Sequence, residues 1–289
     1  MDLAKKLVLQ EHFAIKAIAD TLKVSRSNLI ESKTRSSDRT SKYTKAQDEE
    51  LIPMLQEITN NKPTFGYRRA GAILNRKLRK AGKQVVNHKR VYRLMKQANM
   101  LLEKQPPKPT RTHDGKVVTL KSNLRWCSDT LEIKCWNGEK VHVGFSLDCC
   151  DREVMSWMAK AKHFRASDIR DIIAETVDAR FGSVSQTPHT VQFLSDNGSI
   201  YTAKKTQLFG KKLGLEVCTT PAYSPESNGM AESFVKTFKR DYVYLNELPD
   251  AQTVLNKISE WFEDYNENHP HKGLKMMSPR EFKRSHLAS

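Results

Sequence analysis

Residues 125–148 read RWCSDTLEIKCWNGEKVHVGFSLD, and this stretch decides the fold. On both sides of Asn137-Gly138 apolar and polar residues alternate, as they do in strands half-buried against a core. Asn-Gly between two alternating runs is the strongest short hairpin signal, so the stretch predicts a β-hairpin. A third strand over 152–160, REVMSWMAK, completes a meander. Helix 167–180, strand 190–196, helix 202–213 and a short strand 215–220 follow, then helices 229–244 and 251–265. Three consecutive strands and then alternating helix and strand predict an α/β class fold, a mixed five-stranded sheet flanked by helices.

Working outward toward the amino terminus, residues 103–122 (EKQPPKPTRTHDGKVVTLKS) are rich in Pro, Lys and Thr and read as an interdomain linker. Before it lie three helical segments. The first, 46–59, has Leu51, Met54, Leu55 and Ile58 as its apolar stripe; the second follows the corner Pro63–Tyr67 and ends at Gly82. The third starts after a cap at Asn87, with Val91, Leu94, Met95 and Ala98 inward and Lys89, Arg90, Arg93 and Lys96 outward. A helix with one apolar and one basic face, beside the Arg68-Arg69 pair, is a candidate DNA contact; its ordinary alternative is a solvated face. Residues 14–32 read as helix, turn, helix, with Ile18, Leu22, Val24 and Leu29 packing inward, and Arg26 and Asn28 would face the major groove. Lys23 stands where such turns often carry Gly. The predicted organisation is therefore an all-α, helix-turn-helix-type region, comprising a segment and linker over 1–45 and a helical domain over 46–103. A linker over 104–122 and an α/β core over 123–289 complete it.

Charge supports that division. Net charge is +16, and residues 1–121 hold 27 Lys and Arg against 11 Asp and Glu, a surplus of 16, while residues 122–289 hold 22 of each. A basic half joined to a neutral half is the expected footprint of a polyanion-binding module, and nucleic acid is the polyanion it best fits, since a membrane-surface helix would also need a strong apolar face. Hydrophobic residues make up 38% of the 289, and no apolar run approaches the ~20 residues of a membrane span. With no signal-peptide pattern either, a cytoplasmic, nucleoid-associated location with no membrane partner is expected. The five cysteines form no CxxC, and His269-Pro270-His271 lacks the partners of a metal site.

Three carboxylates stand out by placement. Asp129 lies mid-strand, where an ionised group is costly unless paired or bound to metal. Asp196 ends a strand, facing the crevice where open sheets bind ligands. Glu232 opens a helix whose apolar stripe is Met230, Phe234, Phe238 and Tyr242; Lys236 and Lys239 share the Glu232 face at i+4 and i+7, lining an approach path for phosphates. The 35 residues between Asp196 and Glu232 carry little weight by themselves. Each residue also has an ordinary reading: a surface Asp, a turn former before Asn-Gly, and a helix-start Glu favoured by the dipole. Together they make a hard-oxygen set suited to Mg²⁺, with Mn²⁺ as a substitute, and two such ions stabilise the attacking and leaving oxygens of an in-line phosphoryl displacement. Asp148 and Asp151, beside Cys149-Cys150, read mainly as turn residues.

At WCSD (126–129), LSDNG (194–198) and SPESNGMAESFVKTFKRD (224–241) the chain resembles the integrase-type transposases of bacterial insertion sequences. More narrowly, it is similar to the second-frame (OrfB) products of insertion-sequence family three. Gly66–Arg69, NHKRVYRLM (87–95) and YNENHPHKGL…SPREF (265–282) carry the resemblance from about Asp48 onward. It implies an RNase H-like core with Asp129, Asp196 and Glu232 as a metal-binding DDE triad and Lys239 as a contact to element-end DNA. It also implies strand cleavage at an element tip and transfer of the 3′-OH into DNA. The partners would be double-stranded DNA (the terminal repeats and target DNA), further copies of the chain in at least a dimer, and an upstream-frame partner or fusion. The competing readings are a non-catalytic DNA-binding regulator of transposition and a nuclease acting on RNA–DNA hybrids.

Overall fold

The computed structural model describes residues 7, 13–27, 29–30, 47–103, 119–182, 185–220 and 228–287. The chain divides into two compact units, Met1–Leu51 and Ile52–Ser289. In the first, helix α1 (Ile15–Leu22) ends at Lys23, which adopts φ 51. That left-handed conformation is the one for which a helix-ending turn favours glycine, so this lysine fills the glycine position at a steric cost. Helix resumes at Arg26, and Ile18, Ala19 and Leu29 form a small buried cluster with Leu22 and Val24 against it. Arg26 is exposed, whereas Asn28 and the polar stretch 31–45 lie outside the described residues.

Three helices follow: α2 (Asp48–Asn61), α3 (Tyr67–Lys80) and α4 (His88–Gln97). Helix α3 closes through Gly82, at φ 66, with Lys83 N–H donating to the Leu78 carbonyl at 2.9 Å. Asn87 caps α4, its side chain accepting from Lys89 N–H at 2.9 Å. Asn75 pins the intervening turn by exchanging hydrogen bonds with both backbone groups of Val86, at 2.9 and 2.7 Å. Gly71 lets α3 and α4 meet, since a Cβ there would stand 3.4 Å from Val91.

The rest is an α/β sheet of order β3-β2-β1-β4-β5, with β1 (Arg125–Lys134), β2 (Lys140–Asp148), β3 (Val154–Lys160), β4 (Val191–Ser195) and β5 (Leu215–Thr219). The meander β1-β2-β3 is antiparallel, and β4 and β5 run parallel to β1. Strict alternation on β1 sends Trp126 to one face and Cys127, Leu131 and Ile133 to the other. The Trp126 face is covered by α5 (Ala166–Phe181) and α7 (Lys204–Lys212), which follows the short α6 (Ser199–Thr202). The Cys127 face is covered by α8 (Gly229–Asp241) and α9 (Ala251–Asn268) through a cluster of aromatic rings. Phe234 and Phe238 stand 4.5 Å from Phe145 and 4.7 Å from Phe262 respectively. Burial of each such ring contributes about 2–3 kcal/mol. A last helix, α10 (Pro279–Leu287), has no counterpart in the strand-and-helix reading of the sequence.

The helices α3 and α4 do not stand apart from the core. The stretch 104–118 lies outside the described residues, but Arg69 pairs with Asp241, Lys62 with Asp264 at 2.5 Å and Arg76 with Glu281 at 2.7 Å. Residues 52–103 are thus docked on the carboxyl-terminal helices within the second unit. Among the described residues no helix is long and apolar enough to cross a membrane.

Candidate active site and nucleic-acid interface

Register brings two of the three carboxylates together. The parallel ladder of β1 and β4 pairs Cys127 with Leu194, so two residues further along both chains Asp129 comes beside Asp196. Adjacent strands run about 4.8 Å apart. Alternation gives the pair a common face: Cys127 and Leu194 both pack in the α8–α9 layer, and Asp129 and Asp196 follow each at an even interval. Glu232 projects from the first turn of α8, the helix lying over that face.

Asp129 is half-buried, and its carboxylate accepts the Thr130 N–H at 2.7 Å. Burial raises its pKa to about 6, against that hydrogen bond and with the help of the charges of Asp196 and Glu232. Asp129 therefore senses both other carboxylates. Asp196 is exposed and accepts the Gly198 N–H at 3.0 Å. Gly198 leaves that carboxylate where it is, because a Cβ there would stand 2.9 Å from Oδ1 of Asp196 and push it aside. Asn197 ties the same loop to β5, donating to the Thr220 carbonyl at 2.8 Å. Beneath the site, Ser128 Oγ donates to the Phe145 carbonyl and meets the buried Tyr201 hydroxyl at 2.9 Å.

Glu232 pairs with Lys236 at 3.4 Å; Lys236 is exposed and Lys239, one turn on, is half-buried. The donor set, three carboxylates with hard oxygens, suits Mg²⁺ or Mn²⁺. Among the described residues, however, no three His, Cys, Asp or Glu side chains stand close enough to ligate one ion as placed. The segment 221–227, which includes the first four residues of SPESNG, lies outside the described residues.

The predicted DNA contacts separate into two groups. Lys89 and Lys96 are exposed on α4, with Arg90 and Arg93 half-buried between them. Arg68 joins this surface: it donates to the Tyr67 hydroxyl at 3.0 Å, and Tyr67 meets Tyr92 of α4 edge-on at 5.1 Å. Arg69 points the other way. Its guanidinium binds Asp241 at 3.2 Å and lies over the Phe65 ring at 5.4 Å. Adjacent arginines on a helix are about 100° apart, so only one of the pair can face outward.

Sequence reasoning missed the buried cluster around Asp241. Burial alone would raise this carboxyl, but the side chains of Arg240 and His269 hold it well below the ordinary carboxylate range. His269 is itself buried, which lowers its pKa, and its Nε2 donates to Asp241 at 2.9 Å. His269 and His271 are core histidines, packed 4.7 Å apart and against Tyr265. His269 and His271 stand in a polar stretch, YNENHPHKGL over 265–274, so local sequence carried no signal of their burial. A second buried cluster confirms the turn role of Asp148: its carboxylate accepts N–H groups of Asn123, Cys150 and Asp151 at 2.7, 2.7 and 3.1 Å. Asp151 is held by the buried Arg180 at 2.9 Å.

An HTH-like domain family matches residues 45–108, and two integrase core domain families match residues 120–225 and 213–279. Over 291 aligned residues, spanning 98% of this chain and 95% of the relative, the sequence is 42% identical to transposase InsD for insertion element IS2A/D/F/H/I/K of Escherichia coli. The chain belongs to the second-frame transposases of insertion-sequence family three. InsD for insertion element IS2-9 of E. coli strain K12, another relative in the family, is 41% identical over 98% of this chain and 93% of its own. Among solved structures, the catalytic domain of Mos1 mariner transposase is similar at a TM-score of 0.44 and 17% identity. That likeness covers 57% of this chain and 82% of that one. Family membership accounts for the architecture above: an HTH-like helical region followed by an integrase core.

Proposed function

We propose that this transposase carries two divalent metal ions, Mg²⁺ with Mn²⁺ as a substitute, on Asp129, Asp196 and Glu232. With them it cleaves one strand at an insertion-sequence end and transfers the 3′-OH into DNA. The observation that carries the proposal is the register of β1 on β4, which sets Asp129 beside Asp196 on the face covered by the helix of Glu232. Bound between these carboxylates, the ions would supply the charge that stabilises the attacking and leaving oxygens of an in-line displacement.

The side chains have separable tasks in this scheme. Asp129, ionising at about 6, is anionic at neutral pH and ready to ligate. Gly198 leaves room for Asp196 and fixes its oxygen. Lys236 and Lys239 follow Glu232 along one face of α8 and meet the phosphates of the DNA end, while Arg68, Lys89, Arg90, Arg93 and Lys96 hold duplex on the outer surface of α3 and α4, and Arg26 is a separate DNA contact of the first unit. Joining two ends calls for at least two copies of the chain on DNA, with an upstream-frame partner or fusion recognising the terminal repeats.

The test is joining of a labelled element-end 3′-OH to target DNA in Mg²⁺, with the element's own ends and its upstream-frame partner supplied. Wild-type chain is expected to join, and Asp196→Asn and Glu232→Gln to bind DNA without joining. Joining that survives either substitution would overturn the assignment, and DNA binding with no joining by the wild type would favour a regulator.

A further inference from the structure

Helix α8 carries a carboxylate near each end, and the two have different surroundings. Glu232 lies in its first turn, half-buried and paired with Lys236, and Asp241 closes its last turn with a side chain wholly buried. Nine residues of helix, about 13 Å, separate them. Asp241 receives Arg240 through two contacts of 2.6 Å, both from its own helix. Its other partners come from elsewhere: His269, just after α9, at 2.9 Å, and Arg69 of α3 at 3.2 Å. Arg69 also covers Phe65, and Phe65 meets the His269 ring edge-on at 5.4 Å. One buried carboxylate therefore joins the HTH-like helices, the end of α9 and the helix of Glu232.

We propose that Asp241 and Arg69 are positioning residues: their ion pair clamps α3 to the far end of α8, so the DNA-holding helices and Glu232 move as one body. The inference rests on the assignment of Glu232 given above. A single helix of this length transmits a displacement from one end to the other, and a misplacement of about 1 Å at reacting groups costs on the order of a hundredfold in rate. Arg68, next to Arg69, stays on the outer surface with Tyr67, so duplex engaged there is one residue from the clamp. Loss of Arg69 leaves Arg240 and His269 on the carboxylate, so Asp241 is not stranded as an unpaired buried charge.

The test uses the full chain with Arg69→Ala, Arg69→Lys and Asp241→Asn. It measures duplex affinity, Mg²⁺-dependent end joining with the upstream-frame partner supplied, and amide hydrogen exchange across 229–241. Arg69→Ala is expected to keep duplex affinity within about threefold, while joining falls on the order of tenfold to a hundredfold and α8 exchanges faster. Arg69→Lys restores part of the joining, since an ammonium reaches the carboxylate with one contact. Asp241→Asn reproduces the Arg69→Ala pattern if it folds; if it does not, Arg69→Ala and Arg69→Lys decide. A joining loss no larger than the affinity loss would return Arg69 to the DNA surface and overturn the clamp. Should the wild type join nothing, the strand-transfer assignment falls, and the clamp is judged by exchange alone: unchanged protection of 229–241 in Arg69→Ala refutes it.

Discussion

Replacing Asp129 by Asn should make the metal-free protein more stable at neutral pH while abolishing its chemistry. Folding raises the Asp129 pKa from the ordinary 3.8 to about 6, chiefly by burial. A raised acid binds its proton more tightly folded than unfolded, so its contribution to stability falls as pH climbs from about 4 to about 6 and stays low above that. At about 1.4 kcal/mol per pH unit the cost reaches about 3 kcal/mol as an upper bound, because the group is half-buried and partly screened. Asn carries no charge to bury and keeps an oxygen for the Thr130 N–H. Urea denaturation in chelator at pH 8 should therefore show Asp129→Asn more stable by about 1–3 kcal/mol, with the difference vanishing near pH 4. Added Mg²⁺ should stabilise the wild type and leave the variant unmoved. A variant that is equal to or weaker than the wild type at pH 8 in chelator would refute the reasoning.

Other perturbations separate the parts of the site. Gly198→Ala puts a methyl group 2.9 Å from Oδ1 of Asp196 at an ordinary backbone conformation, so end joining should fall at least tenfold while the melting temperature changes by no more than a few degrees. Lys89→Ala and Lys96→Ala, both exposed on α4, should each lower the slope of log affinity against log salt by about 1 in a duplex-binding titration. Arg180→Ala strips the buried Asp151 of its cationic partner, leaving it the Ser122 hydroxyl and the Glu153 N–H, and should cost about 3–5 kcal/mol by chemical denaturation without altering metal dependence.

Much of this architecture is legible in the residues because its cues are local. Asn137-Gly138 announces the hairpin, and Gly138 takes the positive φ of 89 that its turn requires. Gly82 and Asn87 mark helix ends that the backbone respects, since each satisfies its own orphan groups. Strand 190–196 shortens to Val191–Ser195 and helix 251–265 lengthens to Asn268, within the fraying expected of element ends. Asp129 and Asp196 attract attention for a local reason too: a charge in a buried strand and a charge at a strand's end.

What stays hidden is whatever depends on distant partners. Arg68 and Arg69 are the same residue type in adjacent positions, and only Asp241, 172 residues away, distinguishes them. A composition-based division places a boundary between residues 103 and 123, yet Lys62, Arg69 and Arg76 bind the carboxyl-terminal helices. Basic residues that look solvated in one dimension meet acids supplied by a half of the chain whose net charge is zero.

Alternation along β1 has a further consequence for how such a gene decays. Trp126 and Asp129 belong to opposite faces, so the strand obeys a parity rule. Deleting or inserting one residue upstream within it would carry the carboxylate to the α5 side and drive an indole toward the crevice. A substitution on this strand leaves every other side chain on its own face, whereas a change of length by an odd number moves a whole segment to the wrong one. Damaged copies of the gene should therefore accumulate length changes in the exposed 137–139 turn long before they survive one between residues 126 and 133.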